Sequence, residues 1–147
     1  MYFVDRNVMQ NLGGNGDANV RKWRNSVNDT DIFIPVVAIR EAWYGCEKVR
    51  NNQPRSADLG IAATRAILAA FDRQVLALDE LAAIEWAKLL VELGRKNEAD
   101  WSYIAVAKAT GWTLVTRNVK DMVGHGARLL NPFTDPPTII EVDKRID

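Results

Sequence analysis

The sequence contains few of the residues that build disulfide frameworks and transition-metal sites. Among its 147 residues there is one cysteine, Cys46, and one histidine, His125. A single cysteine excludes an internal disulfide and a multi-cysteine zinc site, and a single histidine excludes paired-histidine motifs such as H-E-x-x-H. No apolar run approaches the roughly 20 residues of a membrane span, and no signal peptide is visible at the start. These absences predict a cytoplasmic protein without a membrane partner.

The chain also lacks a net charge, because its 19 basic residues balance 19 acidic ones. Nucleic-acid-binding domains are usually basic, so the zero sum argues against tight, sequence-blind binding of duplex DNA. It does not exclude an RNA substrate, because acids gathered in one pocket would leave a more basic surround. The length, with 48% hydrophobic residues, suits one domain with a core of its own.

What remains is an alternation of short apolar strands and helices. Strands are predicted at 2–4, 31–35, 75–78, 113–116 and 129–130, the last as a possible edge strand, with a β-prone run at 138–142. Helices are predicted at 20–27, 36–49, 56–71, 79–94 and 98–110. This alternation predicts parallel pairing and an α/β sheet with helices on both faces. Helices 36–49 and 56–71 form a helical hairpin, with Ser56 as the cap of the second.

Polar side chains follow two of these strands, at the sheet edge where open parallel sheets bind ligands. Asp5 follows the first strand, and Asn118 and Asp121 follow the strand at 113–116. Taken singly, a polar residue in such a place is most often a helix N-cap.

Two further carboxylates occupy predicted helix faces that turn inward. Glu41 has small and apolar neighbours on its face, and burying a carboxylate without a partner is costly. A salt bridge to Arg40 or Arg117 is the structural alternative to a functional role. Asp100 also has mostly inward-facing neighbours, although an aspartate in a first turn complements the helix dipole as well.

Together these positions predict a site for a hard divalent cation. Carboxylates that are brought together repel and raise each other's pKa, a penalty that a cation removes. Oxygen ligands without histidine or cysteine select Mg²⁺, with Mn²⁺ as the alternative, over zinc. Because Mg²⁺ keeps several waters and favours phosphate substrates, the predicted chemistry is hydrolysis of a phosphodiester.

Five stretches of the chain, in this order and spacing, resemble the PIN-domain ribonucleases, specifically the VapC-type toxins of bacterial type II toxin–antitoxin pairs. The stretches are Tyr2-Phe-Val-Asp-Arg-Asn-Val8, Phe33-Ile-Pro-Val-Val-Ala-Ile-Arg-Glu-Ala-Trp-Tyr-Gly45, Asp100-Trp-Ser-Tyr-Ile-Ala-Val-Ala107, Thr113-Leu-Val-Thr-Arg-Asn-Val-Lys-Asp121 and Leu130-Asn-Pro-Phe133. The resemblance implies a PIN-like three-layer α/β/α domain over residues 1–134, with a central, mostly parallel sheet and a protruding helical hairpin. Residues 135–147 would form a C-terminal tail.

The same resemblance implies a Mg²⁺- or Mn²⁺-dependent endoribonuclease that leaves a 5′-phosphate and a 3′-hydroxyl. Its catalytic residues would be Asp5, Glu41, Asp100 and Asn118, with Asp5 and Asp100 as metal ligands. The expected partners are an RNA substrate, a cognate antitoxin protein and a second copy of the chain. In relatives the hairpin helps form the groove for the antitoxin, and here it carries Trp43 and Tyr44.

The chain departs from the family pattern at two places. Asn118 stands where many relatives carry aspartate, and it contributes no charge. Arg6 replaces the usual threonine or serine. The sequence leaves three roles open for Arg6. It could bind the scissile phosphate, pair with Asp5 or point to solvent. The predicted supporting residues are Asp121, Thr116, Arg6 and Asn7. For Thr116 the alternative is an ordinary strand residue.

Other functions are weighed against the nuclease. The main alternative is a catalytically weak PIN-like module that binds RNA or protein. A haloacid-dehalogenase-type phosphatase would need D-x-D, whereas the chain has Asp5-Arg6-Asn7. The motifs of serine hydrolases and P-loop proteins are missing. Basic residues predicted to border the acidic site are Lys48, Arg50, Arg55, Arg95 and Lys96. The RNA target, the antitoxin and the number of metal ions do not follow from the sequence.

Overall fold

The computed structural model describes residues 1–142 as a six-stranded sheet flanked by helices. The spatial order of the strands is β3-β2-β1-β4-β5-β6, and all neighbouring pairs are parallel except β5 and β6. The strands are β1 (Tyr2–Val4), β2 (Ile32–Pro35), β3 (Val75–Leu76), β4 (Thr113–Val115), β5 (Leu129–Asn131) and β6 (Thr138–Ile140). The predicted α/β class with a central, mostly parallel sheet is confirmed.

Seven α-helices and one short 3₁₀ helix, Asp29–Asp31, connect the strands in this part of the chain. The α-helices are α1 (Arg6–Gln10), α2 (Ala18–Ser26), α3 (Val36–Val49), α4 (Pro54–Ala70), α5 (Glu80–Leu93), α6 (Glu98–Thr110) and α7 (Val119–Met122). Helices α3 and α4 pack against each other as the predicted hairpin.

The second helix of the hairpin begins earlier than predicted. Pro54 occupies its first turn, so Ser56 lies inside the helix and is not its cap. Proline suits this position because its fixed φ is helical and the amide hydrogen it lacks would have no partner in the helix. Strand β3 is also shorter than the predicted run 75–78.

Strand β5 is not at the edge of the sheet, as its sequence had suggested. Thr138–Ile140, within the predicted tail, forms β6 and pairs antiparallel with β5. Residues 143–147 of that tail lie outside the described residues. Among residues 1–142, no helix is long and apolar enough to cross a membrane.

The strand order creates a crevice between β1 and β4. The chain builds β1, β2 and β3 outward in one direction and then crosses back to place β4 on the other side of β1. At such a switch point the segments that leave two neighbouring strands diverge, and ligands bind at the carboxyl ends of those strands. Val4 pairs with Val115 at this end, so Asp5 and Thr116 follow side by side.

Candidate active site

The crevice at the end of β1 and β4 contains the predicted catalytic residues. A cleft of about 210 Å³, referred to below as the acidic cleft, lies there. Its lining consists of Asp5, Arg6, Asn7, Glu41, Asp100, Tyr103 and Asn118. The four residues predicted to be catalytic therefore come together from four segments of the chain.

Asp5 is both a helix cap and a member of the cleft. Its side chain is 6% exposed. Oδ1 accepts a hydrogen bond from the amide of Val8 at 2.9 Å, which caps α1, and Oδ2 accepts one from Thr116 Oγ1 at 2.6 Å. Burial raises the pKa of Asp5, and the nearby charges of Glu41 and Asp100 raise it further, while the two hydrogen bonds lower it. Thr116 is thus more than an ordinary strand residue.

Glu41 is held by a tyrosine and not by an arginine. Tyr103 Oη donates a hydrogen bond to Glu41 Oε1 at 2.5 Å. No salt bridge joins Glu41 to Arg40 or Arg117 in the described part of the chain. Burial and the Glu41 charge both raise the pKa of Tyr103, so its hydroxyl stays protonated and available as a donor. Sequence reasoning missed this role, although Tyr103 lies one helical turn after Asp100.

Asp100 faces the amide of Asn118 across the cleft. Asn118 Nδ2 lies 3.4 Å from Asp100 Oδ2. Asn118 occupies the N-cap position of α7, but its side chain makes no capping hydrogen bond there. Burial raises the pKa of Asp100, with Glu41 and then Asp121 adding to the effect. Asp121 is exposed and does not line the acidic cleft, so it acts on Asp100 only through its charge.

The oxygen atoms that line the cleft are of the type that a hard divalent cation prefers as ligands. Three carboxylates and one amide supply oxygen ligands. Burial raises the pKa values of Asp5 and Asp100, and the charges of neighbouring carboxylates raise them further, which is a repulsion that a cation would relieve. These side chains line one cleft but have separate hydrogen-bond donors, namely Thr116 for Asp5, Tyr103 for Glu41 and Asn118 for Asp100. Within residues 1–142, no three side chains of histidine, cysteine, aspartate or glutamate stand close enough to hold a metal ion.

Arg6 lies in the cleft without a carboxylate partner. Its Nε atom is buried and makes no hydrogen bond, and no ion pair joins it to Asp5 within the described residues. The predicted pairing with Asp5 therefore does not match the structure. Asn7 is exposed at the rim, where its carbonyl accepts a hydrogen bond from Asn11.

A second cleft adjoins the acidic one and shares Glu41 with it. This neighbouring cleft, of about 290 Å³, is lined by residues of both charges and by Trp86, and its two cations are Arg40 and Lys96. Of the five basic residues predicted to border the acidic site, only Lys96 lines the neighbouring cleft. Arg50 pairs with Glu47 and Asp58, and Arg95 pairs with Glu98.

A parallel sheet with an acidic cleft at its switch point defines a class of α/β domains, and comparison assigns this chain within that class. The family model of the PIN domain matches residues 2–120. The chain therefore belongs to the PIN domain family, as the resemblance of its motifs implied. The comparison with curated proteins gives no match.

Solved structures support the same fold. FitAcB from Neisseria gonorrhoeae is 23% identical, covers 90% of this chain and 99% of its own, and has a TM-score of 0.71. A toxin–antitoxin complex from Klebsiella pneumoniae is 17% identical over 90% of this chain and 98% of its own, with a TM-score of 0.63. VapBC2 from Rickettsia felis, bound to a DNA fragment from its promoter, is 17% identical. The match covers 82% of this chain and 89% of its own, with a TM-score of 0.64.

Proposed function

We propose that the protein is a divalent-metal-dependent endoribonuclease that acts as the toxin of a toxin–antitoxin pair in the cytoplasm. The observation that carries this proposal is the acidic cleft, in which Asp5, Glu41, Asp100 and Asn118 meet at the switch point of a PIN domain. Oxygen ligands of this kind, next to groups of raised pKa, are typical of sites that bind Mg²⁺ or Mn²⁺ and hydrolyse phosphodiesters.

Each residue of the cleft has a role that follows from its contacts. Asp5 and Asp100 would hold the ion, which supplies charge for the phosphoryl oxygens and activates a water. Thr116 keeps Asp5 in its orientation. Tyr103 orients Glu41 beside the ion site, where its carboxylate can accept a proton from a water. Asn118 offers its amide to a water or to Asp100.

The neighbouring cleft supports a nucleic-acid substrate. Arg40 and Lys96 make no ion pairs in the described part of the chain, so both are available to phosphate groups. Trp86 adds an aromatic ring of the kind on which bases of single strands stack. A single strand that crosses the acidic cleft would continue along this surface.

The role as a toxin is supported by the fold neighbours and by the surface of the hairpin. One of the similar structures is a toxin–antitoxin complex by name, and another is VapBC2 bound to a DNA fragment from its promoter. Tyr44 on α3 is 60% exposed and Leu59 on α4 is 61% exposed, so both helices of the hairpin carry a large side chain that a protein partner would cover. We propose a cognate antitoxin for this surface, and dimerisation with a second copy of the chain elsewhere.

Cleavage assays test the nuclease directly. Purified protein is incubated with structured RNAs in Mg²⁺ or Mn²⁺, next to Asp5→Asn and EDTA controls. Asp58→Asn is the matched control, because this aspartate is exposed on α4 and lies outside the cleft. We expect cleavage by the wild type and by Asp58→Asn, and none by Asp5→Asn. RNA that is bound but not cleaved in either metal would contradict the nuclease.

The second candidate, a catalytically weak binding module, is favoured by the separation of the carboxylates in the described structure. Expression in a bacterial host distinguishes it from the toxin. We expect the wild type to arrest growth and Asp5→Asn to leave growth normal. Equal growth of both strains, together with RNA binding in vitro, would support the module.

A further inference from the structure

Arg6 is the one cation among the seven residues that line the acidic cleft in the described chain. Its buried Nε has no hydrogen-bond partner, and none of the ion pairs within residues 1–142 includes its guanidinium. A guanidinium seldom stays unpaired when carboxylates are near. The Nε atom is enclosed by the protein, whereas the two Nη atoms are not among the buried atoms and make no hydrogen bond within residues 1–142. The Nη end of Arg6 is therefore open to an acceptor from outside the chain.

The carboxylates of the cleft do not supply that acceptor, because no ion pair joins any of them to Arg6 within the described residues. Thr116 holds Asp5, Tyr103 holds Glu41 and Asn118 holds Asp100. The guanidinium instead extends toward Gly45, where Nη1 lies 4.0 Å from the place a Cβ atom would occupy. Gly45 follows Glu41 by one turn on the same face of α3. Arg6 therefore flanks the acidic cleft on the side of the hairpin.

The charge of this arrangement selects a phosphate. An anion that enters the cleft meets three carboxylates, and Arg6 is the side chain of the lining that attracts it. The planar guanidinium presents paired N–H groups that match two oxygens of a phosphodiester. We propose that Arg6 binds a backbone phosphate of single-stranded RNA beside the acidic cleft and thereby positions the substrate. The identity of the substrate rests on the function proposed above.

Binding measured without metal tests this assignment apart from cleavage. The probe is a short, fluorescein-labelled single-stranded RNA, and its anisotropy is followed in EDTA at several KCl concentrations. The proteins are the wild type, Arg6→Thr, Arg6→Lys and the control Arg55→Ala, which removes an exposed arginine at the start of α4. Each variant is first checked by circular dichroism and thermal melting.

We expect Arg6→Thr to bind about tenfold more weakly, since it loses a hydrogen bond between charged groups. The slope of log Kobs against log [KCl] should fall in magnitude by about 0.7, the value for one phosphate contact of a single strand. Arg6→Lys should keep the slope but bind more weakly than arginine, because an ammonium lacks the planar pair of donors. Arg55→Ala should change neither quantity.

An unchanged slope in Arg6→Thr, or an equal loss in Arg55→Ala, would overturn the assignment. If Arg6→Thr does not fold, Arg6→Gln replaces it, since glutamine keeps part of the buried stem without the charge. A wild type that binds RNA through Arg6 but never cleaves it would overturn the nuclease and leave this inference intact. If the wild type cleaves RNA but the salt slope of binding is the same in Arg6→Thr, the nuclease stands and the role of Arg6 is wrong.

Discussion

Tyr103 and Glu41 are joined by a hydrogen bond of 2.5 Å between Oη and Oε1, which connects helix α6 to helix α3 inside the acidic cleft. Because burial and the charge of Glu41 raise the pKa of Tyr103, the proton stays on the phenol. The bond therefore has one direction, from tyrosine to carboxylate. It fixes the one carboxylate of the site that is carried by the hairpin.

Removing this donor should impair the site with little effect on the fold. We expect Tyr103→Phe to lower kcat/KM for RNA cleavage in Mn²⁺ about tenfold, in keeping with the ~1.5–3 kcal/mol of a hydrogen bond to a charged group. Tyr44→Phe is the matched control, because Tyr44 is an exposed tyrosine of α3. Equal activity of Tyr103→Phe and the wild type would show that Glu41 needs no such support.

Neutralising Asp5 should stabilise the metal-free protein while it abolishes activity. The pKa of Asp5 is raised above its ordinary value of 3.8, so the folded state binds the proton more tightly than the unfolded state. The resulting stability is fully present below that ordinary value and is lost as the pH rises through the folded-state pKa. Asparagine imitates the protonated form at every pH and remains a good N-cap.

Urea unfolding in EDTA measures this effect. At pH 7 we expect the free energy of unfolding of Asp5→Asn to exceed that of the wild type, because the wild type has by then lost the stability that protonated Asp5 supplies. Near pH 3 the two proteins should be equally stable. If the wild type is the more stable protein at pH 7, the raised pKa of Asp5 in the folded state is contradicted.

A fourth carboxylate, placed at position 118, should lower the stability of the metal-free protein and raise its affinity for the metal ion. In Asn118→Asp the amide that now lies 3.4 Å from Asp100 Oδ2 becomes a second negative charge. We expect a lower melting temperature in EDTA because the two carboxylates repel, and a larger rise on addition of Mn²⁺. Calorimetric titration with Mn²⁺ should give at least a severalfold tighter dissociation constant. An unchanged constant would place Asn118 outside the ion site.

Close packing within the hairpin predicts a coupled pair of substitutions. A Cβ atom on Gly60 would lie 2.6 Å from Cys46 Sγ, which is closer than van der Waals contact allows. We expect Gly60→Ala to destabilise the protein by about 1–3 kcal/mol. In a Cys46→Ala background the same change should stabilise it by up to about 1 kcal/mol, since alanine is the better helix former. Additive effects in chemical denaturation would show that the contact is absent.

The sequence was sufficient for the parallel part of the sheet and for which residues meet in the cleft, but not for the position of β6 beside β5. Strand and helix periodicity reports burial along a local segment, and helix α3 begins and ends as predicted because a proline precedes it and an amphipathic face runs through it. Asp5 and Asn118 were placed together because parallel strands bring their carboxyl ends to one edge.

The partners of these residues could not be predicted in the same way. Whether Tyr103 reaches Glu41, or Asn118 turns to Asp100 instead of capping α7, depends on side-chain orientation across helices that are distant in sequence. The same holds for Arg6, whose three roles differ only in the direction of one flexible side chain. Local patterns do not encode these choices, because packing between elements makes them.

The hydrogen bond between Thr116 and Asp5 spans 111 positions of the chain, and the one between Tyr103 and Glu41 spans 62. Contacts of such long range form late, after the segments that carry them have been synthesised and β4 has docked beside β1. A ribosome-bound chain that has not yet released Thr116 therefore lacks the donor to Asp5 and lacks Asn118. If the protein is toxic to its host, it stays harmless throughout most of its own translation, and products that end before Thr116 are harmless as well.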